Sequence, residues 1–526
     1  MNQNNISAAE LFLRVRELLI LPELEPKTRN KMMHDTLILC CHEGVKDTKQ
    51  AFGNLFSQVD YLCKAHGIKV ADKIAIQTMR RHSNSQEPLS SEDLKYDARA
   101  LAIFISAVFG VDVPHELNVL IPHTNRPYQK GLEINNRRIR CIVKNWDSDF
   151  IRVDIDQDAD EEEYLVQLKD EENHIDHTYL WDILKEGMQL NLLDCQVKQP
   201  VITPRLIVVE PDYLVDISSI ATCFTAFGHH PLLYLLNQMK PRANTQATLL
   251  GNFAGAALDD IINTNGKYQM NETIKTNFRE KALEFCTCPW FDAKKFYTDA
   301  NQQAFNLQQV VDILFPRTAS QAQMSAFRGE SLYDRKKAIL EPSFVCEALG
   351  IQGRVDLMTT DCKLLVEQKS GRNMNIETHQ VDPGYHSYQL EPHYVQLLLY
   401  YGVLQHNFKL SNDRVNIRLL YSKYQPQDGL MVVAYYHKLF QEAITYRNQL
   451  VAASFEIAKE GFEHALNEFT PDVLNVAGTQ DFFYNKYLKP QIEAITSPLH
   501  NLSPIEEAYF CRMMTFVLRE QMISKV

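Results

Sequence analysis

The stretch GRVDLMTTDCKLLVEQKSG, residues 353–371, limits this chain more than any other. It reads as two short apolar strands joined by a turn at TTDCK. A buried strand avoids charge, because an ionised side chain out of water is costly. Yet Asp356 interrupts the first strand, and Glu367 and Lys369 the second. Side chains alternate along a strand, so Glu367 and Lys369 share one face and Gln368 takes the other. Arg354 and Asp356 likewise share a face, opposite Val355 and Leu357. Paired as a hairpin, the strands bring Asp356 and Glu367 together. Two carboxylates a few ångströms apart repel unless a cation lies between them. Oxygen ligands suit Mg²⁺ or Mn²⁺. Lys369 adds an ammonium group that can orient a water and stabilise charge growing on a phosphoryl oxygen. Metal, polarised water and a cation aimed at phosphate together describe phosphodiester hydrolysis. The competing reading is a surface hairpin whose three charges face solvent.

Downstream, EPHYVQLLLYYGVL from Glu391 reads as a helix with Pro392 in its first turn. His393, Gln396 and Tyr400 fall at i, i+3 and i+7, on one face of an otherwise apolar helix. Leaning on the site strands, that face offers polar groups to a DNA phosphate or to an attacking water. The alternative is an ordinary amphipathic helix with its polar residues outward.

The chain has 526 residues, enough for about three or four domains. Residues 1–115 read as a helical N-terminal region. SAAELFLRVRELLIL opens on a capping-box pair, Ser7 and Glu10. SEDLKYDARALAIFISAVFG stops at Gly110, and RHSNSQEPLSS before it reads as a loop. Residues 116–195 read as a small β-rich domain, with the turn NWDSD between two β-branched runs. Its tail, DIDQDADEEEYL, fails the calcium-loop template. Counting from Asp154, Ala159 stands where Gly is needed and Leu165 where Glu is needed, so a solvated acidic loop is expected. Residues 200–455 mix helix and strand, and 456–526 are helical. The last segment, SPIEEAYFCRMMTFVLREQMISKV, has a cap at Ser503 and Pro504 but no stop signal before Val526, as expected of a fragment of a longer chain.

Net charge is −12, so any nucleic-acid contact has to be a local basic groove rather than long-range attraction, which argues against a passive DNA-coating protein. Arg137, Arg138, Arg140 and Lys144 on the β-rich segment form either a phosphate-binding patch or solvated strand edges. Eleven scattered cysteines fit a reducing compartment. No secretory signal opens the chain, and the most apolar run, ALAIFISAVFGV from Ala100, is too short to span a bilayer. A cytoplasmic protein with no membrane partner is expected.

Taken in order, GIQGRVDLM, LLVEQKSGR and HYVQLLLYYGVL resemble the RecB-like nucleases of the PD-(D/E)xK superfamily. The likeness is strongest to the branch that trims DNA flaps in replication and repair and is joined there to a helicase. It extends over residues 205–455 and includes LLYSKY and the YRNQLVAA segment around Arg447 and Asn448. The resemblance implies a multi-domain α/β chain with a PD-(D/E)xK (restriction-endonuclease-like) core over 200–455. The helical extension 456–526 would lead into an absent helicase module. It implies Asp356 and Glu367 as metal ligands, Lys369 as catalytic lysine, and Gln396 and Tyr400 as supporting catalytic residues. Glu341 stands where the family keeps an acidic residue before the first strand. Arg354, His393 and Arg372 become DNA contacts; of the series His379, His386 and His393, only the last keeps a site role. The implied activity is Mg²⁺- or Mn²⁺-dependent cleavage of single-stranded or flapped DNA.

Two departures qualify this. In LLGNFAGAALDDII, Gly255 holds the place of the family's metal-binding histidine, and Asp259, one turn on, or Asp260 substitutes. The alternative is a catalytically weakened nuclease fold that positions DNA for a helicase partner. The flap-trimming relatives also carry four cysteines around an iron–sulfur cluster. Here only Cys223 and Cys511 stand in comparable places, so no iron–sulfur cluster is expected. Cys286 and Cys288 read as two buried thiols, and Cys40 to His42 as helix core. No G-x-x-x-x-G-K-[ST] occurs, so this chain is not expected to hydrolyse ATP.

Overall fold

The computed structural model describes residues 6–525, apart from 22–23, 49, 53, 85–87, 127–135, 156–163, 226–227, 241–243, 383–385, 411–413, 469, 476–481 and 483. Five helices, Ala8–Ile20, Pro26–Val45, Leu55–Ala65, Val70–Asn84 and Ser91–Phe109, bundle around Leu11, Leu37, Leu62, Leu101 and Phe104. Ser7 and Glu10 make the expected capping box, and Gly110 closes the last helix at φ 65°. The fourth helix runs on through His82, so RHSN of the expected loop is helical. His82 is held there by Asp97, 2.8 Å from its Nδ1, and Asp97 also accepts from Asn30 at 2.9 Å.

The six strands of the central sheet, labelled in chain order, are β1 (Ala51–Phe52), β2 (Ala338–Leu340), β3 (Leu357–Thr359), β4 (Leu364–Lys369), β5 (Asn416–Tyr421) and β6 (Leu430–Val433). Their spatial order is β1-β6-β5-β4-β3-β2. β1 comes from the N-terminal region and pairs parallel with β6, so that region is not purely helical. β4 and β5 are parallel; β3 runs antiparallel to both β2 and β4. Four core helices are α1 (Gln246–Asn263), α2 (Ala293–Leu314), α3 (Glu391–Phe408) and α4 (His437–Glu460). α3 makes the crossover that a parallel β4–β5 pair requires.

Both faces of the sheet are covered, which is why β4 opens with three consecutive buried apolar residues, Leu364, Leu365 and Val366. Leu364 and Val366 face Leu249 and Phe253 of α1 and Leu307 of α2. Met358 and Leu365 face the α3 and α4 side, with Val395, Leu398 and Ile444. The alternation then puts Glu367 and Lys369 on the α3 side.

The β-rich segment closes into a barrel. Asn136–Trp146, Phe150–Ile155, Tyr164–Gln167, Val201–Thr203 and Gln189–Lys198 pair in that order and back to the first. Only the Tyr164–Gln167 and Val201–Thr203 pair is parallel. This five-stranded Greek-key barrel has the connectivity of an OB-fold. The NWDSD turn forms as expected, with the Asp147 carboxylate accepting from the N–H groups of Asp149 and Phe150, both at 3.0 Å. Most of the acidic segment DIDQDADEEEYL lies outside the described residues.

Two buried polar residues of α4 tie barrel to core. Asn448 accepts from Val209 N–H at 3.0 Å and donates to Ile207 O at 2.7 Å. Arg447 donates to the carbonyls of Val209, Glu210, Tyr213 and Gly350. Gly350 sits at φ 60°, and a Cβ there would collide with the Arg447 guanidinium. Helices Lys489–His500 and Pro504–Lys525 follow, the latter opened by Ser503, whose N–H and hydroxyl both meet Glu506. The chain is therefore mixed α/β, and no helix among the described residues is long and apolar enough to cross a membrane.

Candidate active site

The strand carrying Asp356 changes sheets as it reaches that residue. Ile351–Arg354 pairs antiparallel with Ser343–Cys346 and parallel with Val215–Asp216, whereas β3 joins the central sheet. Asp356 stands at the break. In β3–β4, Leu357 lies opposite Val366; one step further back along β3 sets Asp356 opposite Glu367. Directly opposed side chains on one face come within about 5 Å at Cβ. Asp356 is fixed there by Gln368 N–H, which donates to its Oδ2 at 2.6 Å.

Glu367 is 3% exposed. Lys369 Nζ lies 2.8 Å from Glu367 Oε1 and 2.9 Å from Gln396 Oε1. The second oxygen, Glu367 Oε2, is buried with no hydrogen-bond partner. Burial, reinforced by the charge of Asp356, pushes the Glu367 carboxyl up to about 8 despite Lys369. Burial also raises Asp356. Each ionised carboxylate thus makes the other harder to ionise.

Around this pair stand two more carboxylates. Glu341 occupies a turn at φ 47°, with its N–H donating to Asp356 O at 2.9 Å and its side chain 3.0 Å from Arg354 Nη1. Asp259 on α1 is raised to about 6 by burial, then by the charges of Glu341, Asp260 and Asp356. Asp260 itself turns away and accepts from the Thr273 hydroxyl at 2.5 Å, so Asp259 is the α1 carboxylate that faces the site. Gly255, one turn earlier, has nothing within 4 Å of where a Cβ would sit. Among the described residues no three His, Cys, Asp or Glu side chains already converge as a coordination shell; Glu341 and Glu367 are each drawn to a cation instead. The donor set still fits a hard divalent ion. It is all oxygen, it centres on an opposed carboxylate pair, and it leaves Glu367 Oε2 unsatisfied.

The polar stripe of α3 faces inward, not to solvent. Gln396 holds Lys369, and Tyr400 OH donates to Arg354 O at 2.7 Å. His393 Nδ1 lies 3.1 Å from Tyr421 OH; burial first, then the nearby Lys369 charge, lowers it to about 3, so its imidazole is neutral. Arg354 and Arg372 are both ion-paired, with Glu341 and Glu377 respectively.

Several residues at the same end of the sheet escaped the sequence reading. Tyr421, Lys423, Tyr424 and Glu377 border the site because β4 and β5 are parallel and in register, Lys369 beside Tyr421. LLYSKY is the sequence signal for Tyr421, Lys423 and Tyr424 and does not extend to Glu377.

Other expectations fall differently. Cys286 is exposed and Cys288 buried, so the pair is not two buried thiols; the short helix Ala282–Thr287 buries Phe285 and turns the adjacent Cys286 outward. Cys40, Cys41, Cys223 and Cys511 are buried, and burial pushes Cys223 up to about 12. On the barrel, Arg138 lies 3.6 Å from Glu347, Lys144 lies 2.6 Å from Asp154, and Arg140 pairs with Asp212. These cations are matched by carboxylates, which favours strand-edge pairing over a phosphate patch. Compared with protein-family models and with curated proteins, the chain matches none.

Proposed function

We propose that this chain is a divalent-metal-dependent deoxyribonuclease with a PD-(D/E)xK, RecB-like core, acting on single-stranded or flapped DNA as the nuclease part of a nuclease–helicase. One observation carries the reading. Asp356 and Glu367 oppose each other across β3 and β4, Lys369 Nζ is 2.8 Å from Glu367, and the other Glu367 oxygen is buried without a partner. The topology supports it as well: antiparallel β3 and β4, the crossover α3, and parallel β5 follow the order in which the family arranges its core.

Asp356 and Glu367 would hold the cation, with Asp259 and Glu341 able to add oxygens from α1 and the turn before the site. Mg²⁺ or Mn²⁺, when bound there, would supply a polarised water and screen the phosphate charge. Lys369, whose Nζ lies between Glu367 and Gln396, would direct its ammonium to a phosphoryl oxygen. Gln396 keeps the ammonium on the site face. Tyr400 fixes the backbone at Arg354, next to the Asp356 break. His393, neutral beside Lys369, adds no opposing charge.

The test is cleavage of end-labelled single strands and flaps with Mg²⁺ or Mn²⁺. Wild type cuts; Lys369→Ala and Asp356→Ala fall by at least about 100-fold. Equal rates in all three sink the reading. A second reading, a weakened fold that positions DNA for a helicase, is favoured by Gly255, which contributes no ligand from α1. It predicts binding without cleavage.

A further inference from the structure

At the end of the sheet where Lys369 lies, the Glu377 carboxylate is gripped by two cations. The chain leaves β4 through Ser370 to Asn373 and leaves β5 through Ser422 to Tyr424, side by side, with Ser422 N–H donating to Lys369 O at 2.9 Å. Glu377, on the short helix Met374–Thr378, reaches back between them. Arg372 Nε lies 2.5 Å from its Oε2, Lys423 Nζ 3.0 Å from its Oε1, and Tyr424 OH donates to Oε1 at 2.9 Å. Tyr424 is itself fixed by Asn373 N–H at 2.7 Å. The arrangement is built rather than incidental: three donors from two chain segments converge on one anion with two oxygens.

Two positive side chains face one negative one, and both stay open to water: Arg372 is 61% exposed and Lys423 43%. In a chain of net charge −12, a cationic excess beside the candidate site is a local feature that long-range attraction does not supply. A guanidinium and an ammonium binding two oxygens of one monoanion is also how such groups hold a phosphodiester. Arg372 is three residues past Lys369, at most about 10 Å of extended chain, within reach of a neighbouring phosphate on the same strand.

We propose that Arg372 and Lys423 form a backbone-phosphate subsite for the nucleic-acid strand next to the cleaved bond, and that Glu377 is its built-in competitor, occupying the phosphate position until the strand displaces it. This rests on the nuclease reading above. Arg372, Lys423 and Tyr424 also hold Glu377 well below the usual carboxylate range, at about 2, so the competitor stays ionised at any working pH.

The experiment uses the full chain in EDTA with a fluorescein-labelled single-stranded oligodeoxynucleotide, read by anisotropy across salt concentrations. Glu377→Gln should bind about three- to fivefold tighter at low salt. Arg372→Ala and Lys423→Ala should bind more weakly, each lowering the salt slope by about 0.7. In the Arg372→Ala/Lys423→Ala background, Glu377→Gln should change nothing. Asp361→Asn removes the same charge at the far end of β4, where Asp361 pairs with Lys337 at 3.0 Å, and should leave affinity unchanged. The inference is overturned if Glu377→Gln binds like wild type, or if Asp361→Asn tightens binding as much. Cleavage with Mn²⁺, run in parallel, separates the two levels. Cleavage indifferent to Lys369→Ala with the anisotropy pattern intact removes the nuclease reading and keeps the subsite. Cleavage dependent on Lys369 with flat anisotropy removes the subsite alone.

Discussion

Asp356 and Glu367 face each other across β3 and β4, and the cation beside them, Lys369 Nζ, satisfies only one of the two Glu367 oxygens. A buried carboxylate pair of this kind costs stability when both members are ionised. The fold keeps it on the central strands, where apolar side chains would stabilise more, and that cost is what a bound cation would offset under the proposed function.

The first prediction concerns pH. The folded Glu367 carboxyl is raised from 4.5 to about 8. Its contribution to stability is therefore complete below about 4.5 and is lost as pH rises through about 8. In EDTA, the melting temperature of wild type should fall between pH 5 and pH 9 by more than that of Glu367→Gln. Mn²⁺ should restore the wild type at the alkaline end, because both carboxylates are ionised there and a cation bound between them offsets their repulsion. Melting curves that shift in parallel for the two proteins contradict the assignment.

Arg447 provides a second test, independent of chemistry. Its buried guanidinium donates to four carbonyls, three of them in the 209–213 segment that joins barrel to core. Arg447→Met strands those carbonyls and should cost about 3 kcal/mol or more in urea unfolding. Arg447→Lys should rescue little, since one ammonium cannot span the same acceptors. A loss below about 1 kcal/mol counts against the clamp.

Two glycines should respond in opposite directions. At Gly402 on α3, a Cβ would run into the Phe440 ring of α4. Gly402→Ala should destabilise by about 1–3 kcal/mol and, by shifting the helix that carries Gln396 and Tyr400, lower cleavage too. At Gly255 nothing lies within 4 Å, so Gly255→Ala should stabilise by about 0.5–1 kcal/mol. Thermal unfolding of the two variants decides it; like-signed effects contradict the packing described here.

How much of this was legible in the sequence follows from the range of the interactions. Strand alternation alone put Glu367 and Lys369 on one face, and helical spacing put His393, Gln396 and Tyr400 on another; both are local periods. Asp259 over Asp260 was left open, because it depends on how α1 is rotated against the sheet. β1 was missed: two residues cannot display a period, and their partner is β6, far along the chain. The grip on Glu377 was missed for the same reason, since it exists only once β4 and β5 lie parallel in register. For the barrel's basic residues the sequence leaves a patch and solvated strand edges both open, because the acidic partners of Arg138, Arg140 and Lys144, Glu347, Asp212 and Asp154, lie on other strands or loops.

The central claim is that the opposed carboxylates hold a divalent cation. The most direct measurement is Mn²⁺ binding near neutral pH, followed by electron paramagnetic resonance, for wild type, Asp356→Asn and Glu367→Gln. The account predicts saturable binding by wild type, weakened by at least about tenfold in each variant, with folding unchanged. No saturable binding by wild type, or equal affinity in all three proteins, would contradict it.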